Sequence, residues 1–177
     1  IEHEAKLAGV NLLMSKPMFK SSLVSAFSRA MGEKEEQLQR AEIPDYDFTG
    51  KRVLLAEDNA INTEVAVLLL KSKGFSVDTA ENGLRAMEMF SKSEAGWYSA
   101  ILMDIRMPLM DGLTAASNIR HLSNADAENI PIIAMTANAF DDDIEKSKAA
   151  GMVAHLAKPI DPEKLYQTLY DFIFRGE

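Results

Sequence analysis

Cysteine is absent from this chain. That excludes disulfide staples and thiolate metal sites, and it fits a reducing compartment, so a cytoplasmic location is expected. Basic residues are in deficit: 19 Lys and Arg stand against 27 Asp and Glu, for a net charge of −8. That is the wrong sign for a general nucleic-acid surface, which must neutralise phosphates. Long apolar runs are missing as well. The longest, Val65 to Leu70, falls far short of the roughly 20 residues that span a bilayer. The opening Ile1-Glu2-His3-Glu4 shows no signal peptide, and without an initiator Met the chain is expected to be a piece of a longer protein. What remains is 47% hydrophobic over 177 residues, enough for one domain with an appendage or for two small ones.

Four polar sites follow short apolar runs. Val53-Leu54-Leu55-Ala56 precedes Glu57-Asp58, and Ala100-Ile101-Leu102-Met103 precedes Asp104. Ile132-Ile133-Ala134-Met135 precedes Thr136, and the shorter His155-Leu156-Ala157 precedes Lys158. Continuous apolar runs of this length predict strands buried on both faces of a parallel sheet. Between them the pattern turns helical. A helix over about 60–73 carries Ile61, Val65, Leu68 and Leu69 on one stripe and stops at Gly74. An edge strand over 75–80 leads to a helix near 82–93, buried through Leu84, Met87 and Phe90. Asp111-Gly112 opens a third helix with Leu113, Ala116 and Ile119 inward, an acidic fourth helix follows Pro131's strand, and Leu165, Leu169 and Phe172 hold the last. Five strands alternating with helices predict a doubly wound, flavodoxin-like α/β sheet of order 2-1-3-4-5. In such a sheet, function lies beyond the carboxyl ends of the strands.

Three carboxylates, a hydroxyl and an ammonium would then converge. Three carboxylates cannot all remain ionised together without a cation, and Mg²⁺ is the hard, oxygen-seeking partner expected. Asp58 and Asp104 are the expected direct ligands, Glu57 reaches the ion through water, and the backbone carbonyl of Arg106 supplies a further ligand. Asp104, alone at its strand end, suits a nucleophile that forms an acyl phosphate. Lys158 and Thr136 would meet the phosphoryl oxygens. Taken singly each residue has a plainer reading: Asp104 as a cap or turn former, Thr136 as a strand residue, Lys158-Pro159 as a turn. The argument rests on four strand ends agreeing.

The ordered set Leu55-Ala56-Glu57-Asp58-Asn59, Met103-Asp104-Ile105-Arg106-Met107-Pro108-Leu109-Met110-Asp111-Gly112, Met135-Thr136-Ala137-Asn138-Ala139 and Leu156-Ala157-Lys158-Pro159 resembles the receiver domains of two-component signalling. The likeness covers about Lys51 to Phe174, and its wording is similar to receivers fused to hybrid sensor histidine kinases. It implies an acidic pair at Glu57 and Asp58, a phosphoacceptor at Asp104, a switch hydroxyl at Thr136 and the site lysine at Lys158. It also implies Mg²⁺, a phosphohistidine donor on a histidine kinase core, and a histidine-phosphotransfer domain as recipient. The domain would catalyse its own phosphorylation without being a turnover enzyme, and the parent kinase could be membrane-anchored. The chain departs from the family at His155, where an aromatic switch residue is usual; protonation of this His near neutral pH would bias the switch.

The alternative reading is a degenerate receiver that serves only as an interaction module; the intact Asp58, Asp104, Thr136 and Lys158 argue against it. An aspartate-nucleophile phosphatase would want an Asp where Arg106 stands, and Glu57-Asp58 would repel a flavin phosphate.

Residues 1–31 repeat the end of the same pattern. Ala8-Gly9 matches Ala150-Gly151, Lys16-Pro17 matches Lys158-Pro159, and Leu23 matches Leu165. They are expected to be the C-terminal remnant of a preceding receiver, with 32–50 as linker and 51–175 as the intact domain. An apolar stripe on a helix over 19–40 predicts a homodimer through that segment.

Overall fold

A computed structural model describes residues 46–137 and 141–176, without the side chains of 141–143. The expectations for 1–31, for most of the linker, and for a dimer through 19–40 lie outside the described residues.

Five parallel strands form one sheet in the order β2-β1-β3-β4-β5. They are β1 (Arg52–Ala56), β2 (Ser76–Ala80), β3 (Ala100–Asp104), β4 (Ile132–Thr136) and β5 (Ala154–Ala157). The three central strands are the ones whose sequence is an unbroken apolar run: β3 and β4 are buried at every position, and β1 at all but Arg52. The edge strands β2 and β5 keep polar residues and are only partly buried. The expected fold class and strand order are both present.

Side-chain alternation along the strands sends each apolar run to two cores. Leu54, Ile101, Met103 and Ile132 pack with Phe90 of helix α2 (Gly83–Ser91) and Ile119 of α3 (Gly112–Arg120). Val53, Leu55, Leu102 and Ile133 pack with Leu70 of α1 (Ala60–Ser72) and with Leu165 and Leu169 of α5 (Pro162–Tyr170). Helix α4 (Asp141–Ala149) is held differently: of its described side chains only Ser147 is buried. The final residues, Asp171–Arg175, form a π-helical turn, and Ile173 rather than Phe172 joins the core there.

Helix α1 corrects the sequence reading. Ile61, Val65 and Leu68, expected to face the core, are 72%, 49% and 64% exposed. The buried side is Ala66 and Leu70, with Val67 and Leu69 packed beside them. This helix is apolar around much of its girth, and periodicity alone does not say which apolar face meets the sheet. The helix starts at an N-cap, where the Asn59 side chain accepts from the Ile61 and Asn62 N–H groups at 3.0 and 3.2 Å, and the Ala66–Leu70 face is the one packed in the core. Leu84, expected inside, is likewise 38% exposed, and Ala86 takes the buried position on α2.

The end of the expected linker also belongs to the core. Phe48 is fully buried and stacks on Phe75 with ring centroids 4.3 Å apart, while Tyr46 packs on Tyr170 at 5.3 Å. The Phe48 N–H donates to the Lys73 carbonyl at 2.8 Å, tying this segment to the C-terminal end of α1. Gly50 and Pro44 signal a turn, but the two rings between them bury too much apolar area to remain in water.

Candidate functional site

The carboxyl end of β1 runs directly into Glu57 and Asp58, and the carboxyl end of β3 is Asp104. Because β1 and β3 are hydrogen-bonded neighbours, the three carboxylates meet: one oxygen from each lies within 4.8 Å of the other two. Glu57 and Asp104 are buried, and Asp58 is exposed. Oxygen-only donors, one open to water, match the demands of a hard divalent ion that keeps part of its hydration.

The lysine at the end of β5 is drawn into the same cluster. Lys158 Nζ lies 2.6 Å from Asp104 Oδ2 and 2.5 Å from Glu57 Oε2, with its side chain 17% exposed. A single ammonium thus bridges two buried carboxylates, reaching past β4, which separates β5 from β3. Its pKa is raised: burial pulls it down, but the hydrogen bonds and charges of Asp104 and Glu57 together outweigh that. Asp104 is also pushed up, chiefly by burial, against the opposing hydrogen bonds from Lys158 and the Arg106 N–H. Both directions stand together, because the lysine compensates only part of the cost of burying two negative charges.

The other expected residues fall around this centre. Thr136 is buried at the end of β4, paired in register with Ala157, and its carbonyl accepts from the Lys158 N–H at 2.8 Å. Arg106 is the second residue of the loop after β3; its N–H donates to Asp104 Oδ1 at 3.2 Å and its side chain is exposed. His155 lies one residue before the buried Leu156 on β5, and its Nε2 contacts the fully buried Ser147 hydroxyl of α4. Ser147 Oγ donates to the Ile144 carbonyl at 2.9 Å. With the Ser147 proton directed to that carbonyl, Nε2–H is the donor to Ser147 Oγ. Burial first, and then the positive charge of Lys148, lower the His155 pKa. Both effects favour the neutral imidazole, and its contact with Ser147 ties β5 to the otherwise thinly packed α4.

Asn62 was not anticipated. Its Nδ2 donates to Glu57 Oε1 at 3.1 Å, beside the Asn59 N–H at 3.2 Å. These two bonds orient the Glu57 carboxylate so that its other oxygen meets Lys158. The signal in the sequence is the spacing Asn59-x-x-Asn62, one helical turn on the face that looks back at β1.

The family model for the response regulator receiver domain matches residues 53–170. The chain belongs to the receiver domain family of response regulators. This receiver is 38% identical over 130 residues to hybrid signal transduction histidine kinase I of Dictyostelium discoideum, a match that covers 72% of this chain and 8% of that one. It is 39% identical over 134 residues to the peroxide stress-activated histidine kinase mak1 of Schizosaccharomyces pombe, covering 73% of this chain and 8% of that one. The chain thus spans less than a tenth of either relative.

Solved receivers share its fold. One is the receiver domain of a Pseudomonas aeruginosa sensor histidine kinase with a magnesium ion coordinated in its active site cleft. It is 38% identical with a TM-score of 0.65 and covers 73% of this chain and all of that one. Another, from Saccharomyces cerevisiae, is the receiver of a response regulator in complex with a histidine phosphotransfer signaling protein. It is 26% identical with a TM-score of 0.63, covering 71% of this chain and 90% of that one. No helix among the described residues is long and apolar enough to cross a membrane.

Proposed function

We propose that this receiver accepts a phosphoryl group on Asp104 from a phosphohistidine, and passes it to a histidine-phosphotransfer partner. The observation that carries the reading is the buried triangle of Glu57, Asp104 and Lys158, with Asp58 completing an oxygen-donor cluster at its open side. Asp58 and Asp104, the Arg106 carbonyl, and Glu57 through water would hold Mg²⁺, which supplies positive charge against the phosphoryl oxygens when bound. One Asp104 carboxylate oxygen attacks phosphorus. The new P–O bond forms as the P–N bond breaks, and the electron pair of that bond returns to the imidazole. The Arg106 N–H keeps the carboxylate oriented. Lys158 exchanges one carboxylate contact for a phosphoryl oxygen, and Thr136 offers its hydroxyl to another. Mass spectrometry after incubation with acetyl phosphate and Mg²⁺ tests this; an unmodified mass would favour a receiver that acts only as a binding module.

Metal binding has a thermodynamic signature. The carboxylates are crowded only in the folded state, so free Mg²⁺ shifts the folding equilibrium towards it. At a hundredfold excess over Kd the gain is about 2.7 kcal/mol, or roughly 10 °C in Tm for a domain of this size. Asp58→Ala removes an exposed ligand without opening the core, and should abolish most of that shift. A melting curve indifferent to Mg²⁺ would remove the metal from the proposal.

The exposed stripe of α1 supports a helical protein partner. Ile61, Val65 and Leu68 recur at helical spacing on the helix that starts beside Asp58, so a helix laid along them would reach the site. The phosphotransfer protein that carries the reacting histidine is the occupant this placement fits. Leu68→Asp should slow phosphotransfer with that protein about 30-fold, equivalent to about 2 kcal/mol. Labelling by acetyl phosphate, which needs no protein contact, is the reference rate. Equal transfer rates for the variant and the parent would move the docking surface elsewhere.

A further inference from the structure

The loop from Ile105 to Asp111 carries Arg106 past the site, and its far end is anchored where the Asp111 side chain caps α3, accepting from the Thr114 N–H at 2.8 Å. Gly112 N–H donates to the Ile105 carbonyl at 2.9 Å, closing the loop on itself. Two bonds tie Met110 to neighbouring helices: the Asn118 amide of α3 donates to its sulfur at 3.9 Å, and from α2 the Gly83 N–H donates to its carbonyl at 3.0 Å. Gly83 is the first residue of α2, and the N–H groups of a helix's first turn lack partners inside the helix. The Asn82 cap does not take this one, since its side chain accepts from Arg85 N–H at 2.8 Å. The donor is therefore available to the loop.

The approach is close enough to exclude any side chain. A Cβ at position 83 would stand 2.6 Å from the Met110 carbonyl oxygen, 2.8 Å from Ala115 Cβ and 3.0 Å from the Asp111 carbonyl oxygen. Two of these atoms are loop backbone, which cannot rotate aside as the end of a flexible side chain can. Just before Met110, Leu109 adopts φ 65°, the left-handed region that a branched residue occupies only when its neighbours hold it there. Leu109 is also 85% exposed, so its own packing does not supply the restraint. A local turn does: the Met110 N–H donates to the Pro108 carbonyl at 2.8 Å, closing a three-residue turn around Leu109, and the Gly83 N–H then holds the Met110 carbonyl that follows this turn.

We propose that Gly83 is a positioning residue for the metal and phosphoryl site: from the head of α2 it sets the closure of the 105–111 loop, and through it the placement of Arg106 beside Asp104. The inference rests on the Mg²⁺ reading above. Adding a methyl group pushes Met110 outward and carries the Arg106 carbonyl away from the ion. Supporting groups of this kind typically change metal affinity by about 10–100-fold. The coupling is reciprocal: if the clamp tightens Mg²⁺ binding, Mg²⁺ must tighten the clamp by the same factor.

The test compares Gly83→Ala with Gly74→Ala, each titrated with Mg²⁺ by calorimetry. Gly74 has φ 91° and faces Thr49 at the other end of the sheet, so its substitution strains the fold away from the site. Gly83→Ala should raise the Mg²⁺ dissociation constant about tenfold or more, and Gly74→Ala should leave it unchanged. An unchanged constant for Gly83→Ala, or equal shifts for the two variants, would overturn the proposal. Amide exchange in the unmodified chain decides the matter if Gly83→Ala does not fold: Mg²⁺ should slow exchange at the Gly83 N–H. Exchange there that ignores Mg²⁺, while the melting temperature responds to it, sinks the clamp and spares the metal site. A chain whose melting temperature also ignores Mg²⁺ sinks both.

Discussion

Asp104→Asn should abolish phosphorylation by acetyl phosphate and by any phosphohistidine donor, leaving no more label than an unreacted control. The amide is close to the carboxylate in size but has no anionic oxygen to attack phosphorus. The fold should survive. Asp104 already lies in a place that penalises charge, as its raised pKa shows, so a neutral side chain relieves part of the burial cost. Some hydrogen bonding is lost in exchange. Asp104 accepts from the Arg106 N–H through one oxygen and from Lys158 through the other, and an amide offers only one acceptor. Far-ultraviolet circular dichroism should remain unchanged, and thermal melting should move only modestly. Label retained at the unsubstituted level on the Asp104→Asn variant would place the phosphoacceptor elsewhere.

Lys158→Ala should cost stability as well as phosphoryl transfer. Glu57 and Asp104 have side chains 2% and 8% exposed, and Lys158 is the cation that contacts both. Removing one partner from buried charges leaves the others uncompensated, at a cost of about 3–5 kcal/mol. The distinguishing feature is how metal repairs it. With the ammonium gone, the carboxylates are more negative and less well compensated, so added Mg²⁺ should raise the Tm of this variant by more than it raises that of the unsubstituted chain. Phosphorylation should stay impaired even at saturating metal, because no point charge is left to meet the second phosphoryl oxygen. Urea melts with and without Mg²⁺, run beside a phosphorylation time course, measure both effects. Loss of the Mg²⁺ response altogether would mean that Lys158 organises the metal ligands, and that the two cations do not share the work as described.

A hydroxyl, three carboxylates and an ammonium were legible at the strand ends because strands buried on both faces leave little room for polar residues until they emerge. The unbroken runs of β1, β3 and β4 declared themselves in this way, and alternation with helices implied the order of the sheet. Glu57, Asp58 and Asp104 then had to be neighbours, since β1 and β3 pair in that order. That Lys158 spans two of them was not legible, because reach past an intervening strand depends on where the β5 loop sets the side chain. Asn62 and Gly83 were also missed, and for one reason: both act on residues brought near by the turn of a helix or the packing of one helix on a loop, not by spacing along a strand.

What the sequence determined by itself was the set of elements, their order and the chemical character of their ends, all consequences of local periodicity and of which residues tolerate burial. What only the tertiary structure decided was which apolar surface is used. Ile61, Val65 and Leu68 satisfy the helical pattern as well as Ala66 and Leu70 do, yet it is the face of Ala66 and Leu70 that packs into the core. Tyr46 and Phe48 carry no periodic signal at all, yet they enter the core because Phe75, Tyr170 and the end of α1 leave a space that two rings fill. A pattern read along the chain records that a side chain prefers to leave water; the neighbours it leaves water for are supplied by elements far away in sequence.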